Sequence, residues 1–404
     1  MRILLIYHFF HPDTVVSARL FSELAAELAA AGHKVTAFTG NRCIRSSEKL
    51  APREEWKGVE IVRFSRPGFS QGGNFRRLFN SGILQLKWLR AFRKRRRDFD
   101  AVIVGTDPQF DYLMFPFLRR MNRDLKIVHW AFDIYPEAIL VNSPRWMRIL
   151  ASLTKPFVPW AYSKVDVMVD IGACMRELLL KHRHHAECHT LTPWALAEPE
   201  EMPGPDPAIR RELFGDAKIG LLYSGTVGYA HDLSPLIALA RECRKNGIDA
   251  AFCFAGYGNC YEAQCAEITP EDTNIRLAGF ASPEDLEKRL AAADIHLISL
   301  RPGWEGVVVP SKFFGALAIG RPVIFSGSER SGIARWITEE HLGEVMDGGV
   351  ERSLEFIRGL CDDPEALRRA KKHSWEVYHR RFSKKVVCGG FLKLFDAPER
   401  AHEA

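Results

Sequence analysis

The nine cysteines of this 404-residue chain include no Cys-x-x-Cys pair. Cys43, Cys174, Cys253 and Cys361 stand far apart, and the nearest two, Cys260 and Cys265, are five positions from each other, so neither a disulfide framework nor a zinc site is indicated. Also missing is any apolar run long enough for a signal peptide or a membrane span. The chain opens Met1-Arg2-Ile3-Leu4-Leu5-Ile6-Tyr7, which has strand character, and a cytoplasmic location is expected. No Gly-x-Gly-x-x-Gly follows that first strand, which argues against a bound dinucleotide. Acidic residues are absent from Ile61 to Arg97, where eleven Lys or Arg lie, yet the net charge of the whole chain is only +6. That balance is too mild for a nucleic-acid partner.

What is present is the composition of a soluble globular protein, 47% apolar and 26% charged, at a length that suits two domains of about 200 residues each. The first half repeats an order of strand, polar loop and helix. Arg2 to Tyr7 runs into His8-Phe9-Phe10-His11-Pro12-Asp13, a long Ala/Leu/Glu helix starts at Ser17, and Val35 to Thr39 is the next strand. Ala101 to Gly105 ends in Thr106-Asp107-Pro108, and Lys126 to Asp133 in Ile134-Tyr135-Pro136-Glu137. This is α/β grammar with a parallel sheet, in which ligands sit beyond the carboxyl ends of the strands. His8, His11, Asp13, Asp133 and Glu137 lie at these strand ends, although a turn rich in His, Pro and Asp also serves simply as a turn, and Asp133 also suits a helix cap. Pro199, Pro203, Pro205 and Pro207 mark a linker at 196–209, dividing a first domain, 1–195, from a second, 210–382, with a last helix in 383–404.

The second half restarts the pattern and ends its strands in glycine: Tyr223-Ser-Gly225-Thr226-Val-Gly228, Phe254-Ala-Gly256-Tyr-Gly258 and Leu277-Ala-Gly279-Phe280. The most telling stretch is Val307 to Phe325. Pro310 and Ser311 can start a helix, Phe313, Phe314, Leu317 and Ala318 give it a buried face, and Gly320 with Pro322 stops it before a strand. A helix start aims unpaired N–H groups and a positive dipole end at the sheet mouth, and Lys312 adds a full charge, which suits a phosphate. An ordinary turn with a solvated lysine fits the same pattern.

Pro310-Ser311-Lys312, seven residues and then Gly320-Arg-Pro-Val-Ile resembles the nucleotide-sugar loop of bacterial glycosyltransferases of family 4. The three glycine turns follow in that family's order, and Asp133-Ile-Tyr-Pro-Glu137 is similar to its Asp-Leu-Trp-Pro-Glu form. The resemblance implies the GT-B fold, two facing Rossmann-like domains around a deep cleft, with the last helix crossing back to the first domain. It implies retaining transfer of a sugar from a nucleoside-diphosphate sugar, a UDP-sugar first of all, to a lipid-linked saccharide acceptor in bacterial surface polysaccharide synthesis. On that basis Asp133, Glu137 and His11 are expected at the reacting sugar, and Gly225, Thr226, Gly256, Gly279, Glu305, Pro310, Ser311 and Lys312 at the donor. No metal or further cofactor is expected.

The sequence departs from the family at Val307 and Gly315, where many members carry a pair of glutamates; Glu305 stands two residues from the first. Thr226 and His231 stand near the places of a basic pair for the diphosphate. A catalytically silent scaffold or nucleotide-binding subunit at a membrane is the alternative these losses leave. The acid-free stretch carries Trp88, Leu89 and Phe92 among Arg90 and Arg93 to Arg97, so residues 75–97 suit peripheral contact with an anionic membrane. They suit a core-facing helix with a solvated basic end equally well.

Overall fold

The structure is a computed structural model that describes residues 1–44, 48–65, 74–141, 143–182, 184–258, 260–279, 281–282 and 284–396. Phe280, singled out above, lies outside them, as do residues 66–73 of the acid-free stretch. The chain forms two compact units. One comprises Met1–Ile171, Arg176–Thr192 and the tail from Val387; the other comprises Gly172–Met175 and Pro193–Val386.

The first unit is built on eight strands: β1 (Arg2–Ile6), β2 (Lys34–Gly40), β3 (Arg53–Trp56), β4 (Val59–Phe64), β5 (Ala101–Val104), β6 (Lys126–Trp130), β7 (Val167–Asp170) and β8 (Glu187–Thr190). They pair in the order β3-β4-β2-β1-β5-β6-β7-β8, all parallel except the β3–β4 edge. Helices cover parallel strands on both faces, so the central ones read as unbroken apolar runs. Ile3 to Ile6 and Ala101 to Val104 are buried throughout. Helix Val16–Ala30 turns Ala18, Leu20, Phe21, Leu24 and Leu28 to the core, a 3.6-residue repeat. The C-terminal helix Lys384–Lys393 brings Phe391, fully buried, edge-on to Trp130 at 4.7 Å between ring centroids.

Helix Asn74–Arg95 covers the stretch at 75–97 that suits either peripheral membrane contact or a core-facing helix. Leu84, Trp88 and Phe92 are completely buried, at i, i+4 and i+8 along one face turned to the core, while Phe79 and Leu86 are exposed. Arg90, Arg93, Lys94, Arg96 and Arg97 stay exposed. Among the described residues no helix is long and apolar enough to cross a membrane.

The second unit carries β9 (Ile219–Thr226), β10 (Ala250–Tyr257), β11 (Ile275–Ala278), β12 (Ile295–Ser299), β13 (Val323–Ser326) and β14 (Gly343–Met346), paired in parallel as β11-β10-β9-β12-β13-β14. Helix Lys312–Ala318 joins β12 to β13 and buries Phe313, Phe314, Leu317 and Ala318. Gly320 ends that connection at φ +69°, a left-handed value where a Cβ would also strike Met202. Arg321 after it is 1% exposed: its guanidinium donates to the carbonyls of Ile319, Ala291 and Ala293, all in buried bonds, and to that of half-buried Pro203, satisfying loop and helix-end acceptors. The Gly-Arg-Pro run therefore has a structural cause.

Candidate active site

In the second unit the ends of β9 and β10 lie side by side, with Gly225 opposite Gly256 and Thr226 opposite Tyr257. Close approach dictates these glycines. A Cβ on Gly256 would sit 2.6 Å from the Gly225 carbonyl oxygen, and one on Gly225, at φ +128°, would sit 2.9 Å from Cε of Lys312. Lys312 thus crosses over Gly225. Its ammonium donates to the Thr226 carbonyl at 2.9 Å, faces Nε2 of His231 at 3.3 Å and stands 5.2 Å from the centroid of the Tyr223 ring. His231 pairs its Nδ1 with the Ser299 carbonyl at 3.0 Å, so Nδ1 carries the proton and Nε2 is the acceptor for Lys312. Burial, then the charge of Lys312, lowers His231 to about 4, and burial lowers Lys312 to about 8.

Beside this group the amides of Ser311 and Lys312 precede the first bonds of the helix, Phe313 N–H to Pro310 and Phe314 N–H to Ser311. Arg301, which the motif reading passed over, follows β12 and donates through Nε to the His231 carbonyl at 2.8 Å, adding a second cation at the same strand ends. Its only sequence signal is its place directly after a strand. The structure therefore brings Gly225, Thr226, Gly256, Pro310, Ser311 and Lys312 together. Gly279 is exposed at the end of β11, its carbonyl held by Arg289, with open space where a Cβ would be. Glu305 turns back on its own loop, where its carboxylate accepts the Gly303 amide at 2.8 Å. Val307 is buried and Gly315 has room around its Cα.

In the first unit the ends of β1, β5 and β6 converge. Thr106 Oγ1 accepts the amides of Phe132 and Asp133, both at 3.3 Å, which fixes the loop after β6 to the end of β5. Nδ1 of His8 lies 3.1 Å from an Asp107 carboxylate oxygen. Burial and the charges of Asp107 and Asp133 push the Tyr7 phenol well above its ordinary value. Tyr7 and Asp107 join the site here, although neither carries a sequence signal beyond following an apolar run. Glu137 opens its short helix with one carboxylate oxygen 3.1 Å from Nε2 of His182; burial opposes its charge, but His182 holds it below the usual glutamate range. His11 stacks on Trp56 at 4.3 Å and sits 4.0 Å from Glu54, so its ring is tied to β3. Asp13 accepts the amides of Val15 and Ile44, a turn-holding role. His129 is buried inside β6 with Nδ1 on the Val104 carbonyl, and burial lowers it to about 4. The single Asp-x-Asp of the chain, Asp98-Phe-Asp100, is committed to Arg95 and Arg2.

Residues 17–194 match the model of a glycosyl transferase 4-like domain, and residues 219–363 that of glycosyl transferases group 1. The probable glycosyltransferase WbjE of Pseudomonas aeruginosa is 28% identical over 281 residues, 67% of this chain and 69% of that protein. Among solved structures, WaaG, a glycosyltransferase involved in lipopolysaccharide biosynthesis, aligns with a TM-score of 0.65 at 16% identity, covering 98% of this chain and 100% of the other. Anabaena HepE, solved in complex with UDP-glucose, aligns with a TM-score of 0.63 at 11% identity, covering 98% and 99%. One matching domain lies on each parallel-sheet unit, and the solved neighbours share the two-sheet fold; the chain is a glycosyltransferase.

Proposed function

We propose that the enzyme moves a sugar from a nucleoside-diphosphate sugar, a UDP-sugar first of all, to a lipid-linked saccharide, with retention at the anomeric carbon, in the building of a surface polysaccharide. The observation that carries the donor assignment is the meeting of Lys312, Thr226 and His231 over Gly225, beside the start of helix Lys312–Ala318. A leaving diphosphate develops charge as its bond to the sugar breaks. Lys312, Arg301 and the amides of Ser311 and Lys312 are the donors to receive it, and a neutral His231 beside them adds no competing negative charge. With no glutamate at 307 or 315, these groups carry more of the donor than they would in the resembling family. Asp133 is assigned to the transferred sugar. Glu137, bonded to His182, and His11, stacked on Trp56, shape that region.

The reading of surface polysaccharide synthesis draws on WaaG, whose own description is of lipopolysaccharide biosynthesis, and the lipid-linked acceptor and a place at the inner face of the plasma membrane belong to the same proposal. The test is a panel of nucleotide sugars, each assayed for nucleotide release with and without a polyprenyl-diphosphate saccharide, followed by NMR of the product linkage. UDP release stimulated by the lipid saccharide, with the anomeric configuration kept, is expected. An inverted product would overturn the mechanism, and absence of stimulation would overturn the acceptor.

A further inference from the structure

Between Glu137 and Asp166 the chain has no acidic residue, and Arg145, Arg148, Lys155 and Lys164 lie there. Helices Arg145–Thr154 and Phe157–Tyr162 fill most of this stretch, and Lys155 and Pro156 between them keep helical dihedrals, so one helical path runs from 145 to 162. Its apolar residues fall into two sets. Met147, Ala151, Val158, Ala161 and Tyr162 face the core. Trp146, Ile149, Leu153, Phe157 and Trp160, spaced three, four, four and three apart, form a second stripe about 140° around the helix and are 45 to 65% exposed. With Val141 they make up six of the fifteen large apolar side chains exposed among the described residues, within twenty positions. Arg145 and Arg148 flank the stripe on its solvent side, Lys155 is exposed at the bend, and among the described residues none of these three is in an ion pair.

We infer that this face seats the protein on an anionic lipid surface. An apolar stripe carries no charge preference of its own. Here it is bordered by uncommitted cations, freed of every carboxylate over 28 residues, and begins and ends in tryptophan, the residue whose ring suits the boundary between headgroup and acyl chain. A protein interface of this size would tolerate acids at its rim; a negative bilayer excludes them. The apolar side chains enter the headgroup boundary while the first unit's core holds the opposite side of the helix. The inference rests on this surface alone and stands whichever donor the enzyme uses.

The test is co-sedimentation with vesicles of pure phosphatidylcholine and of phosphatidylcholine mixed with phosphatidylglycerol. Wild-type protein is compared with the double variant Ile149→Ser, Leu153→Ser and the triple variant Arg145→Gln, Arg148→Gln, Lys155→Gln. All five residues are exposed, so melting temperature and donor-sugar hydrolysis serve as controls that both variants fold and keep the donor site. Wild type should pellet with the anionic vesicles and be released by salt, and each variant should lose about tenfold or more in affinity. Pelleting of wild type with neither vesicle, or equal pelleting of all three proteins, overturns the inference. So does a wild-type dimer in light scattering that the double variant dissociates without any vesicle binding, which would make the stripe a protein contact.

Discussion

Lys312→Met separates what the lysine does for the donor from what it does to the fold. Burial lowers its ammonium from 10.5 to about 8, whereas in the unfolded chain it titrates near 10.4. The folded state therefore holds the proton less tightly. The gap of roughly 2.5 pH units, at about 1.4 kcal/mol each, sets an upper limit of about 3.5 kcal/mol, which partial exposure of Lys312 reduces to about 1–2 kcal/mol. Because the folded value lies below the unfolded one, this penalty is present in full below pH 8 and fades as pH rises from about 8 to about 10.4. Methionine, similar in length and uncharged, removes it, while loss of the bonds to Thr226 and His231 gives back part of the gain. The variant should be more stable than wild type at neutral pH by about 1 kcal/mol, with the difference vanishing near pH 10. UDP binding should weaken by about 1.5–3 kcal/mol. Melting curves at both pH values and calorimetric titration with UDP measure the two effects. A variant that melts lower at neutral pH and binds UDP as tightly as wild type would refute the phosphate role and leave Lys312 as a tie between β9 and its helix.

If Asp133 stands at the sugar as proposed, Asp133→Asn should lower turnover far more than UDP affinity; steady-state kinetics beside calorimetry read the split, and a fall in melting temperature alone would reduce Asp133 to a cap. Arg321→Met should destabilise the second unit by about 3 kcal/mol or more, since it strands three buried carbonyls and the half-buried one of Pro203, and UDP affinity of the protein that remains folded should not change; urea unfolding measures the first and calorimetry the second. Trp88→Ala should cost about 3–5 kcal/mol in the same unfolding assay, as expected of a fully buried indole, while leaving vesicle binding intact.

The central strands were legible because burial on both faces writes an unbroken apolar run, as in Ile3 to Ile6 and Val323 to Phe325. The strands that escaped notice are at the edges. Arg53-Glu-Glu-Trp56 and Glu187-Cys-His-Thr190 each have one neighbour and no fully buried residue, so nothing in their composition separates them from a loop. The donor-side glycines could be found because backbone crowding demands them. Asp107 and Arg301 could not, since a single polar residue after a strand becomes informative only when three strand ends are brought together. The basic helix was ambiguous for a related reason. A stripe of Leu84, Trp88 and Phe92 reads the same whether a core or a membrane covers it, and only the structure says which face was already taken.

The first unit is not continuous in the chain, and this bears on how it is made. Phe391 against Trp130, Lys126 donating to the Leu394 carbonyl and His33 beside Phe395 all depend on residues after Val387, which leave the ribosome only once the whole second unit has been translated. The amino-terminal sheet must wait, with the patch around Trp130 uncovered, while the later unit, Pro193 to Val386, needs only the four residues Gly172–Met175 from before it and can close first. A nascent chain arrested before Phe391 would expose that patch to chaperones. A circular permutant that carries residues 387–396 ahead of Met1 would let the amino-terminal sheet fold as it emerges.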